Sequence, residues 1–161
     1  MGVSRKTAAS AQPLYEADFH AWSEEQARAI RDGRFEDLDI ENVAEEIEAL
    51  GRAERRELQS RLELILSHLL KWVYQPRKRS RSWKSTIREQ RDRVADHLAE
   101  NPSLKPEIEK VSAKAYRYAM RSAGDEMGLE DREWQRKFPA KCPWSVSQIL
   151  DDSFLPDSHS S

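Results

Sequence analysis

The longest run of regularly spaced apolar positions lies in the middle of the chain. Ile40, Val43, Ala44, Ile47, Gly51, Leu58, Leu62, Ile65, Leu66, Leu69, Trp72 and Val73 fall on one face at helical spacing. The pattern predicts a helix over about 40–74, capped by Asp39 and stopped by Pro76. Thirty-five residues is long for a globular helix, and Gly51 costs about 1 kcal/mol relative to Ala in a helix interior. Either the helix breaks near Leu50-Gly51, or another helix crosses closely where the side chain is missing. The stripe keeps its phase through Gly51, which favours a bend or a close crossing.

Shorter helices flank this ridge. Asp18 is placed to cap a first helix with an inward stripe of Phe19, Trp22, Gln26 and Ile30, and Gly33 supplies a left-handed exit. Beyond the ridge, residues 77–82 read as a basic loop. Thr86-Ile87-Arg88-Glu89 then reads as a capping box opening a helix that turns Ile87, Val94 and Leu98 inward, with Trp83 stapling its start. Asn101-Pro102 stops that helix. Pro106 suits the first turn of the next, whose inward face is Ile108, Val111, Ala115, Tyr118 and Ala119, and which ends at Gly124 or Gly128. Trp134, Phe138 and Trp144 anchor a Pro-punctuated segment, and Ser145-Val146-Ser147-Gln148 is a second capping box, for a short helix holding Ile149 and Leu150.

No alternating or β-branched run is long enough for a strand, and no internal repeat is visible. The expected fold is therefore all-α: a bundle of about four main helices plus a short C-terminal helix, with the 40–74 helix at its centre. The expected domain spans 14–156, between disordered tails at 1–13 and 157–161.

Composition sharpens this picture in two respects. With 38% hydrophobic and 35% charged positions among 161 residues, the chain suits thin amphipathic helices around one core. Cys142 is the only cysteine, so no internal disulfide forms. The N-terminal stretch lacks the apolar run of a signal peptide, and no apolar run approaches the roughly 20 residues that cross a bilayer. The expected location is the cytoplasm, with no membrane association.

The sequence offers few candidates for chemistry. Glu54, Arg61 and His68 stand seven residues apart along the edge of the ridge. A small polar site there would use His68 as proton carrier or ligand and Glu54 as its carboxylate neighbour, with Glu89 facing them from the following helix. The alternative is structural: Glu54 pairs with Arg61, and His68 makes one hydrogen bond across the bundle. The four histidines, at 20, 68, 97 and 159, make no recognised ligand motif. His97-Leu98-Ala99-Glu100 is a single i, i+3 pair, so neither a metal nor a cofactor is expected. Cys142 before Pro143 has no local base to activate it.

Charge is the strongest asymmetry. Residues 36–48 contain seven acids and no Lys or Arg, whereas residues 71–93 contain nine bases against Glu89 and Asp92, a balance of +7. One reading makes the second segment a nucleic-acid site, in which Arg77, Arg79, Arg81, Lys84 and Arg88 grip phosphates and Trp72, Tyr74 or Trp83 stacks on bases. The other has the acidic segment neutralise the basic one, within the molecule or across a dimer, with the tryptophans as core anchors. A net charge of −2 favours the second.

The blocks ENVAEEIEALGRAERRELQSRL (41–62), SHLLKWVYQP (67–76) and RSRSWKSTIREQR (79–91) resemble the bacterial domain-of-unknown-function family twenty-nine. Further similarity lies in YEADFHAW (15–22) and CPWSVSQILDDSFLP (142–156). The resemblance implies an all-helical bundle in a bacterial cytoplasm and no settled activity. The function expected from the residues is a non-catalytic helical interaction module that binds itself or a protein partner. Nucleic-acid binding through 71–93 stands second, and an enzyme site around His68 third.

Overall fold

The computed structural model describes residues 11–157. Among these residues seven α-helices run in chain order: α1 (Ala11–Ala17), α2 (Phe19–Arg31), α3 (Ile40–Tyr74), α4 (Arg81–Glu100), α5 (Ile108–Glu126), α6 (Asp131–Lys137) and α7 (Val146–Leu150). No strand occurs among the described residues. Helix α1 extends into the segment expected as an N-terminal tail; residues 1–10 and 158–161 of the expected tails lie outside the described residues. The chain forms two compact units, with the division between Arg52 and Ala53.

The N-terminal unit is organised around Trp22 and Asp39. Asp18 caps α2 by accepting from the Ala21 amide at 3.0 Å, and Gly33 leaves the helix at φ +69°. Trp22 is buried, with Tyr15 edge-on at 4.7 Å, and donates its indole N–H to Asp39 Oδ2 at 3.2 Å. Asp39 also accepts from the Asn42 amide, as the helix cap expected of it, while its own backbone N–H is taken by the buried Gln26 Oε1 at 2.8 Å. The tyrosine hydroxyl of Tyr15 donates to Glu46 Oε1 at 2.6 Å. Two of the residues expected inside α2, Phe19 and Ile30, are exposed; Ala29 is buried in their stead, because the inward stripe runs through Trp22, Gln26 and Ala29.

Helix α3 runs without interruption through Gly51, and a Cβ built there meets nothing within 4 Å. Neither the break nor the close crossing exists. Residues 51–56 are all exposed, and Arg52 reaches back one and two turns to Glu48 and Glu45. With nothing to clash against and ordinary helical φ, Gly51→Ala is expected to stabilise the helix by about 0.5–1 kcal/mol, read as a higher urea midpoint with unchanged m.

The C-terminal unit holds the larger core. Leu58, Leu62, Ile65, Leu66, Leu69 and Leu70 of α3 are fully buried against Ile87 and Val94 of α4, Ala115, Tyr116, Ala119 and Ala123 of α5, and Ile149 of α7. Each buried leucine contributes about 2 kcal/mol of transfer free energy. Helix α4 begins earlier than the Thr86 box suggested. Ser80 is its N-cap, accepting from the Trp83 amide at 3.2 Å, so Arg81 and Ser82 are helical and Thr86 lies inside the helix. On α5 the inward tyrosine is Tyr116; Tyr118 is turned out. Pro106 lies in a 3-10 stretch, Pro102–Glu107, just before α5, and Gly128 at φ +74° is the left-handed residue beyond its end. Tyr116 donates its hydroxyl to the Pro139 carbonyl at 2.7 Å, and burial pushes its phenol pKa up. The Ser145–Gln148 capping box of α7 forms as expected.

Candidate functional site

The four residues proposed for a polar site have four separate sets of partners. Glu54 is about half exposed, and its Oε2 lies 3.6 Å from Nε2 of His97, a ring nitrogen that also lies 2.8 Å from the Glu54 carbonyl. Arg61 pairs with Glu57 one turn earlier and donates to Gln90 Oε1 of α4 at 3.2 Å. His68 holds its Nδ1 2.8 Å from the Leu64 carbonyl, with its ring edge-on to Trp83. Glu89 is exposed and pairs with Arg93. The pairing of Glu54 with Arg61 does not form either. Among the described residues the buried histidine is His97, and its ring nitrogen rests on the Glu54 carbonyl.

Burial lowers the pKa of His68, with the Lys71 ammonium acting in the same direction; the Leu64 carbonyl and Glu126 oppose them. A histidine whose folded pKa is depressed stabilises the fold above its unfolded pKa, and that contribution is lost as pH falls through the folded value. A ring-proton NMR titration of His68 is therefore expected to give a midpoint below 6.5. The His68→Gln variant should also lose less stability than the parent on acidification from pH 7 to 5. Cys142 is part-buried, its thiol pKa raised by burial and its S–H directed to the Trp144 carbonyl at 3.4 Å. A thiol held protonated is a poor nucleophile. Among the described residues no group of three His, Cys, Asp or Glu side chains could hold a metal ion, and no helix is long and apolar enough to cross a membrane.

The basic segment divides into inward and outward groups. Lys71 is buried, ion-paired with Glu126 at 2.5 Å, and stands over the Trp83 ring at 5.1 Å. Trp72 is buried with the Arg79 guanidinium 4.7 Å and the Lys84 ammonium 5.5 Å from its ring centre, and Arg79 Nε donates to the Trp72 carbonyl. Tyr74 packs edge-on to Phe138 at 5.0 Å. The aromatic groups considered for base stacking are thus engaged with the chain's own cations and rings. Arg77, Lys78, Arg81, Lys84 and Arg88 are exposed, with no ion pair to an acid among the described residues. In the acidic segment, Asp37 pairs with Arg34, and Glu45 and Glu48 share Arg52.

Two features are not disclosed by the sequence pattern, a buried arginine and the exposure of part of the ridge. Arg91, counted only as one base among nine, is buried and binds the carbonyls of Ile149, Phe154 and Gln148 at 2.7, 3.0 and 3.4 Å. The other is the ridge itself. Its first third is not core: Ile40, Ile47 and Leu50 are 67%, 63% and 69% exposed, and Val43 between them is half-buried. Phe35 is also exposed. The spacing 40, 43, 47, 50 is the 3-4-3 interval of a helix-packing seam, and acids at 41, 45 and 48 lie on the same stretch of helix. The sequence signal was present, because these positions lack any polar alternative, but a periodic stripe does not say whether its partner belongs to the same chain.

No curated protein and no solved structure gives a significant match. The family described as Domain of unknown function DUF29 matches residues 14–155, across both units and from Leu14 before α2 to Leu155 beyond α7. The chain belongs to that family.

Proposed function

We propose that this protein is a non-catalytic interaction module whose binding surface is the exposed seam Ile40–Val43–Ile47–Leu50 of α3. The observation that carries the reading is the exposure of three large aliphatic side chains, about 60–70% each, on one face of a well-formed helix. Soluble monomers seldom leave contiguous apolar surface of this kind without a use for it. Ala44 and Gly51 beside the seam are small, so a partner helix approaches closely, in the manner of a helix laid against an apolar groove.

Site-specific photocrosslinking in the host cell tests the assignment. A photoreactive residue in place of Ile47 is expected to give a discrete covalent adduct, and the same residue in place of exposed Glu100 on α4 should give none. Absence of any adduct from position 47 counts against the proposal.

A second reading rests on the five exposed cations Arg77, Lys78, Arg81, Lys84 and Arg88. If about four of them neutralise phosphates, affinity for a single-stranded oligonucleotide falls with salt at a log–log slope of roughly −3 to −4. The Arg77→Ala, Arg81→Ala double variant would flatten that slope. No binding in dilute buffer would end this reading.

A further inference from the structure

The net charge of −2 conceals two unlike units. Residues 1–52 carry twelve Asp and Glu against six Lys and Arg, whereas residues 53–161 carry 17 against 21, a balance of +4. A basic unit joined to an acidic one can hold a polyanion site that the charge of the whole chain does not register. Part of the basic excess is drawn out in a line along α5. Lys110, Lys114, Arg117 and Arg121 follow one another at intervals of four, three and four residues, so they form a single stripe. The stripe is about 16 Å long, with a cation every 4.5–6 Å or so, a step of the order of that between successive phosphates on an extended strand. All four side chains are exposed, with no ion pair to an acid among the described residues. The opposite side of the helix is core, through Ala115, Ala119 and Ala123.

The stripe also has aromatic neighbours. At 3.6 residues per turn, Tyr118 stands to one side of it and Gly124, against which Trp134 packs, to the other. Arg117, Tyr118 and Arg121 line a groove of about 430 Å³ together with Asp131, Trp134 and Gln135 of α6. The Tyr118 ring is half exposed and Trp134 is part-exposed, so both offer surface to a flat ring. We infer that this groove between α5 and α6 binds single-stranded nucleic acid, its phosphates on the α5 cations and a base against Tyr118 and Trp134. Asp131 holds its Oδ1 3.4 Å from the Trp134 indole nitrogen, which keeps a carboxylate on the α6 wall and the phosphates on the α5 wall. An acidic peptide would use the cations and leave the rings idle, and a duplex keeps its bases stacked on one another. The site lies on a different element from the 77–88 cations and owes nothing to the α3 seam.

Fluorescence anisotropy of the full chain with a single-stranded oligothymidylate of about twelve nucleotides tests the inference, with linear inorganic polyphosphate as a competitor that has charge but no bases. With four phosphates neutralised, the log–log salt slope is expected near −3, and Arg117→Ala/Arg121→Ala should bring it to about −1.5. That variant should bind at least about tenfold more weakly at low salt while keeping its helical circular dichroism. Tyr118→Ala should lose at least about fivefold in affinity with the slope unchanged, since stacking releases no counterions. Arg77→Ala/Arg81→Ala is expected to bind within about twofold of the parent. Parental affinity in the α5 double variant, or loss confined to Arg77→Ala/Arg81→Ala, overturns the inference, the second result returning the role to the 77–88 cations. Polyphosphate that competes as well as the oligonucleotide, or parental binding by Tyr118→Ala, also overturns it, because the stripe would then attract anions without reading bases. No binding in dilute buffer overturns it as well, and leaves the crosslinking test of the α3 seam untouched.

Discussion

Arg91→Ala is expected to cost about 3 kcal/mol and to loosen the segment around α7. The side chain is only 4% exposed, and its guanidinium donates to the carbonyls of Ile149 and Gln148 in α7 and of Phe154 just beyond it. A short helix leaves its last carbonyls without intrahelical partners, and a buried cation is well suited to take them. Burial lowers the guanidinium pKa, while the carboxylates of Asp152 and Asp151 oppose that shift. Removing the group leaves carbonyls unpaired, opens a cavity and strands two acids without their cation. For a chain of this length, 3 kcal/mol corresponds to a fall in melting temperature of about 6–12 °C. Amide exchange at Ile149 and Leu150 should accelerate more than exchange in α3. Arg91→Lys keeps the charge but not the planar fork, and should recover less than half of the loss. Unchanged melting would mean that α7 is held by Ile149 alone.

Gly124→Val is expected to be comparably damaging, at about 3 kcal/mol. An added Cβ at this position would lie 2.7 Å from Trp134 Cβ, 2.8 Å from Cγ and 2.9 Å from Cδ1. Those atoms are at the root of the side chain, so relief requires α6 to move rather than a ring to swing. Overpacking of this kind costs about 1–3 kcal/mol, and the two γ-methyls of valine add to the conflict. The sign is opposite to that expected for Gly51→Ala, where the surroundings are empty. Displacing Trp134 also deforms the groove beside Tyr118. A Gly124→Val variant that melts like the parent would show that α6 is free to shift.

These two residues also mark the limit of what the chain's pattern discloses. The caps were legible, because Asp18, Asp39 and Ser145 sit directly before apolar runs and satisfy local amides. The leucine-rich half of α3 was legible for the same reason: every helical turn from Leu58 onward repeats the apolar face. Thr86-Ile87-Arg88-Glu89 has the fuller capping-box pattern, yet the lone Ser80 hydroxyl suffices to cap α4. Tyr116 and Tyr118 are separated by two positions, and only the tertiary partner at Pro139 decides which one is buried. Arg91 and Gly124 owe their roles to groups 58 and ten residues away along the chain, respectively, and no local spacing encodes those meetings. The polar quartet failed to converge for a similar reason. Glu54, Arg61 and His68 share an angular position on α3, but each found a nearer partner in His97, Glu57 or the Leu64 carbonyl.

The exposed seam is the case in which the pattern was right and its interpretation incomplete. Ile40, Val43, Ile47 and Leu50 do continue the ridge of Leu58–Val73 in phase, yet the two stretches meet different fates. One is covered by α4, α5 and α7, and the other is left to water.

Thermal unfolding of the Ile47→Asp, Leu50→Asp variant, followed by circular dichroism in dilute solution, tests most directly whether this seam serves binding rather than folding. A melting temperature within about 4 °C of the parent is the expected result, since two exposed substitutions together change stability by about 1 kcal/mol or less. A fall of 8 °C or more would mean that both side chains are buried in the folded molecule, and the surface on which the account depends would not exist.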